Sequence, residues 1–152
     1  PDIMTLAKAL AGGAPIGTML ATDELAESFG PGTHGSTFGG NPLVTSAAIA
    51  AVRTILEEGI LGHTLEMGDY LTGRLKKLQG KFPFITEVRG IGLIIGAELS
   101  IPGSDIVKKA LERGLLINVA QDRVLRFVPP LIVTKHEIDE MLAILEGILA
   151  EA

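Results

Sequence analysis

Cysteine is absent from all 152 residues. Its absence excludes disulfides and thiolate metal sites and fits a reducing compartment, so a cytoplasmic location is expected. The only histidines are His34, His63 and His136. They share no ligand spacing, and no metal site is expected. Positive charge is also short: 13 Lys and Arg stand against 18 Asp and Glu, a net charge of -5. With no basic cluster, nucleic acid is not an expected partner. No apolar run reaches the ~18 residues of a membrane span, so no membrane partner is expected either.

Small and apolar residues are what the chain has in plenty. Hydrophobic residues make up 47% before the 19 glycines are counted. The two together exceed the ~45–50% typical of soluble domains. Such an excess suits parallel strands buried on both faces, and it suits a piece of a larger protein. Length alone is enough for one domain with a real core.

Along the chain, Ile3 to Ala7 reads as a short buried strand and Ile16 to Ala21 as a second. Thr22 caps a short helix over Asp23 to Ser28. Gly32 to Gly40 is a polar, glycine-rich loop. Asn41 caps the next helix, with Pro42 at its first position and Gly59 as its stop. A second long helix follows from about Leu61 to Leu78.

From Phe82 the pattern changes. Phe84–Arg89 and Leu93–Leu99 read as strands around Gly90-Ile-Gly92, and Gly92 suggests a bulge or close backbone approach. A helix runs from a Ser104 cap to Arg113. Leu115–Val119 and Val124–Val128 form a second strand pair. Thr134-x-x-Glu137 is a capping box, and it opens a last helix with Ile138, Met141, Leu142, Leu145 and Leu149 on one stripe. The expected fold class is therefore α/β then α+β. Residues 1–81 form the first part and residues 82–152 the second.

Three places carry chemistry. Lys8 stands between Ala7 and Ala9, with no local salt-bridge partner. On residues alone it reads first as a solvated lysine ending a strand. The alternative is an amine nucleophile, because apolar surroundings strip hydration from an ammonium and favour the free amine. The loop Gly35-Ser-Thr-Phe-Gly-Gly-Asn41 opens a helix, where free N–H groups and the dipole favour phosphate. Ser36 and Thr37 add hydroxyl donors there, and a plain flexible loop is the other reading. Arg126 lies in the apolar strand Leu-Arg-Phe-Val. It is either a surface arginine or a fork for a carboxylate. Arg89 reads as structural.

Asp2 to Gly17, with Lys8 at its centre, resembles the cofactor-lysine segment of the class III pyridoxal-phosphate aminotransferases. Gly35-Ser-Thr-Phe-Gly-Gly-Asn-Pro42 resembles their phosphate loop. Val88-Arg-Gly-Ile-Gly-Leu93 and Val124-Leu-Arg-Phe-Val-Pro-Pro-Leu131 match two further stretches in the same order. The resemblance implies the end of the large cofactor domain of a fold-type I transferase, followed by its small C-terminal domain. It implies pyridoxal 5'-phosphate on Lys8, phosphate contacts from Thr37 and Ser36, and a substrate α-carboxylate on Arg126.

The resemblance also implies an amino acid and 2-oxoglutarate as substrates. The expected assembly is a homodimer with its active site at the subunit interface, Thr37 reaching in from the neighbouring subunit. Gly114-Leu-Leu-Ile-Asn-Val-Ala120 is most similar to the branch that acts on N-acetylornithine. Other class III donors are ornithine, succinylornithine and 4-aminobutyrate. A non-catalytic small-domain module is the competing class. Only seven residues precede Lys8, while the acid for the ring nitrogen and the stacking aromatic lie upstream in the family. The chain thus reads as the C-terminal part of a longer enzyme.

Overall fold

The computed structural model describes all residues from Pro1 to Ala152. Two compact units divide at Gly59/Ile60. In the first, β1 (Ile3–Leu6) and β2 (Thr18–Ala21) form an antiparallel two-stranded ribbon with Leu6 opposite Thr18. A 3-10 turn, Lys8–Ala11, lies between them and packs on helix α2 (Pro42–Glu57). Helix α1 is a single turn, Asp23–Ala26, with Thr22 at its cap position but without a side-chain cap bond.

Two expectations for this unit are corrected. The strands are antiparallel, and β1 is exposed along its whole length instead of buried. A two-stranded ribbon has no neighbouring layer in this chain, so Ile3, Met4, Leu6, Met19 and Leu20 all stay accessible. The α2 start is as read from the sequence. Asn41 accepts from the Val44 N–H at 3.2 Å, and Pro42 takes a first-turn position.

The second unit holds most of the core. Helix α3 (Ile60–Lys81) begins just after Gly59, which has φ 72°. It packs against β3 (Ile85–Ile91) and β4 (Ile94–Leu99). Helix α4 (Ser104–Glu112), strands β5 (Asn118–Ala120) and β6 (Val124–Phe127), and helix α5 (Lys135–Leu149) follow. The cap residue of α4 is Gly103, and Ser104 is already helical, one residue on from the expected cap. The sheet order is β3-β4-β6-β5, antiparallel throughout.

Alternation sets which face is which. Ile95, Ala97, Leu99, Leu125 and Phe127 point to the core with Leu71, Leu75, Ile138, Leu145 and Ile148. Ile94, Gly96, Glu98, Val124 and Arg126 take the other face. The expected division near Phe82 differs from the compact boundary at Gly59. The reason is the buried face of α3: Met67, Leu71, Leu75 and Leu78 belong to the core of the second unit.

Candidate active site

Lys8 sits where the backbone turns sharply. Ala7 is extended, and Lys8 then adopts φ 57° in the left-handed region. Gly12 closes the turn at φ 64°, and its N–H donates to the Ala9 carbonyl at 3.0 Å. A non-glycine residue in that region costs about 1–2 kcal/mol, and residues so held cluster at functional sites. Ala11 is buried and anchors the turn, whereas Lys8, Ala7 and Ala9 are exposed. Within this chain Lys8 has the solvated setting of the first reading from the residues, not the apolar one of the alternative. Its flanking alanines face solvent with it.

The glycine-rich loop is organised by its own side chains. Ser36 Oγ accepts from the Gly39 N–H at 3.1 Å, and Asn41 Nδ2 donates to the Phe38 carbonyl at 2.9 Å. The Ser36 hydroxyl hydrogen stays free to donate outward. Thr37 is exposed.

The start of α2 offers fewer donors than its position suggests. Pro42 has no N–H, Val44 N–H is taken by Asn41 Oδ1, and Thr45 N–H by the Asn41 carbonyl. Leu43 alone keeps a free first-turn N–H. Donors for an anion here come from the loop more than from the helix. Ser36 also borders a hollow of about 890 Å³, together with Thr5, Gly17, Phe29 and His34. Lys8 and Thr37 do not line it.

Arg126 belongs to the second unit. It stands on the outward face of β6, between Gly96 of β4 and Asn118 of β5. Gly96 in turn pairs with Arg89 of β3, so one row crosses the sheet as Arg89, Gly96, Arg126, Asn118. Arg89 is bound by Glu98 at 2.5 Å and Glu87 at 2.6 Å. The Glu98 hydrogen bond, with the Glu87 charge behind it, pushes the guanidinium further up from its ordinary value. That pairing agrees with a structural role for Arg89.

Four of the five arginines in this unit have partners. Arg74 meets Asp139, Arg113 meets Glu151, and Arg123 donates to the Ser100 carbonyl at 2.8 Å. Arg126 alone has neither an ion pair nor a hydrogen bond. The sequence reading passed over Asn118. Counting back from Arg126 across the Gln121-Asp122-Arg123 turn would have placed it there.

Residues 1–149 match the family profile "Aminotransferase class-III". This chain belongs to the class III aminotransferases. It is 52% identical over 151 residues to the acetylornithine aminotransferase of Methanocaldococcus jannaschii, covering 99% of this chain and 38% of that protein. The acetylornithine aminotransferase of Caldanaerobacter subterraneus is 51% identical over 152 residues, again 99% and 38%. The ornithine aminotransferase of Toxoplasma gondii superposes with TM-score 0.90 at 35% identity, covering 99% of this chain and 37% of that one. A second structure of that enzyme shows partial occupancy of pyridoxal phosphate at its active site. The chain thus spans about 38% of the length of the curated relatives it matches.

The residues present suit such a cofactor in part. Lys8 offers an exposed primary amine on a strained backbone, and Ser36 and Thr37 offer hydroxyls beside glycines that leave open space, such as Gly35 and Gly40. An amine and phosphate donors are what a phosphorylated aldehyde requires.

Proposed function

We propose that the full-length protein carrying this chain is a pyridoxal-phosphate-dependent aminotransferase. It moves the amino group of N-acetylornithine to 2-oxoglutarate. The observation that carries this reading is the whole-chain match to class III, with acetylornithine aminotransferases at 52% and 51% identity. The reaction belongs to arginine biosynthesis, in the cytoplasm.

When bound, the cofactor supplies an electron sink for exchange of an amine with a carbonyl. Lys8 Nζ holds it covalently and, once freed, acts as general base and acid at the amine-bearing carbon of the substrate. Thr37 and Ser36 donate hydroxyl hydrogen bonds to its phosphate. Thr37 serves the site of the neighbouring subunit in a homodimer. Arg126 binds the substrate carboxylate through its two-pronged guanidinium. Residues 1–81 are then the end of the large cofactor domain and 82–152 the small domain. Helix α3 ends the first while packing on the second.

A second reading keeps the scaffold and changes the donor to ornithine. The likeness to the Toxoplasma gondii ornithine enzyme favours it. A donor panel with the full-length protein separates the two. Turnover of N-acetylornithine above that of ornithine, succinylornithine and 4-aminobutyrate is the expected result. Preference for any other donor, or no transamination at all, overturns the reading.

A further inference from the structure

Asn118 pairs directly with Arg126 across β5 and β6. Directly opposed residues share one face of a sheet, with Cβ atoms about 4.5–5.5 Å apart. Both face outward: β5 exposes Asn118, and β6 exposes Arg126 between buried Leu125 and Phe127. Arg126 has no protein partner, and neither does the Asn118 amide.

The rest of the row explains why. On the other side of Arg126 stands Gly96, which has no side chain to offer. Glu98, two residues along β4, is drawn away by Arg89 at 2.5 Å. The sheet thus leaves one cation and one amide side by side and unsatisfied. A carboxylate has about four lone-pair sites. A guanidinium fork fills two of them, and a neighbouring amide N–H fills a third.

We propose that Asn118 is a second carboxylate-binding residue, acting beside Arg126 on the α-carboxylate of 2-oxoglutarate, which adjoins the reacting carbonyl carbon. This deepens the functional reading above and rests on it. The amide N–H donates to a carboxylate oxygen while its carbonyl is available to an Arg126 N–H. The amide thereby fixes the fork in plane with the ligand.

The test uses the full-length protein loaded with cofactor, and glutarate as a non-reacting dicarboxylate probe. Calorimetry should show glutarate binding to Asn118→Ala about tenfold more weakly than to wild type, the low end for a hydrogen bond to a charged group. Asn118→Asp should bind more weakly still, because its carboxylate competes for Arg126 and repels the ligand. Asn118→Gln, which keeps the amide, should recover part of the loss. KM for 2-oxoglutarate should rise by about tenfold in Asn118→Ala, more than KM for the amino donor, with kcat within about twofold of wild type. A merely structural role for an edge-strand residue would not rank Asp below Ala and Gln above it.

If wild type transaminates and Asn118→Ala binds glutarate as well as wild type, the inference is wrong and the functional reading stands. The inference is equally wrong if Asn118→Asp binds no worse than Asn118→Ala. If wild type neither transaminates nor binds glutarate, the functional reading fails and takes this inference with it.

Discussion

Gly68 of α3 lies against the backbone of Gly92 in the β3–β4 turn. A methyl group added at Gly68 would stand 2.3 Å from the Gly92 carbonyl oxygen and 2.6 Å from its carbonyl carbon. Both contacts are backbone, which cannot swing aside as a long side chain does. Gly92 itself has φ 51°, so its own replacement is strained as well. At the β3–β4 turn, helix α3 therefore approaches the hairpin backbone through two facing glycines.

Gly68→Ala should destabilise the second unit by about 1–3 kcal/mol, the usual cost of overpacking. Denaturant unfolding of the full-length protein, followed by a probe in the second unit, measures it. An unchanged midpoint would mean that the contact is slack.

The start of α5 should respond to pH. Thr134 Oγ accepts from the Glu137 N–H at 3.3 Å, and the Thr134 N–H donates to Glu137 Oε2 at 2.8 Å. The backbone hydrogen bond from Thr134, then its hydroxyl, hold the Glu137 carboxyl below its ordinary value of 4.5. A depressed carboxylate stabilises the fold above the unfolded pKa, and that stability is lost as pH falls through the folded one. Thr134→Ala should cost about 1 kcal/mol near neutrality. It should also flatten the pH dependence of unfolding from 4.5 downward. Unfolding curves across that range check both, and a variant with unaltered acid sensitivity would speak against the capping role.

Arg126→Ala in the full-length protein should weaken binding of 2-oxoglutarate about 10- to 150-fold, the span of a lost hydrogen bond to a charged group. Arg126→Lys should recover only part, since a point charge cannot reproduce the fork. Cofactor absorbance should not change. Unaltered KM for 2-oxoglutarate would remove the carboxylate role.

Much of this was legible in the residues because the signals were local. The Asn41-Pro42 start of α2 and the Thr134-x-x-Glu137 box depend on neighbours within four positions, and both form as read. The 3.6-residue stripe on α5 marked its buried face, with Met141 only partly covered. What failed depended on distant partners. The exposure of β1 reflects which layers flank it, and an apolar run says nothing of that. The left-handed turn at Lys8 has no glycine at the residue itself to announce it. Asn118 became visible only through strand register, which is fixed by the positive-φ pair Gln121 and Asp122 in a turn without glycine.

That Lys8 carries the cofactor is tested most directly by covalent trapping. The full-length protein is loaded with pyridoxal phosphate, reduced with borohydride, digested and mapped by mass spectrometry. One dominant pyridoxyl-lysine is expected, at Lys8 in the peptide spanning Thr5 to Gly17, and it should vanish in Lys8→Ala. Label on other lysines with Lys8 unmodified would overturn the assignment.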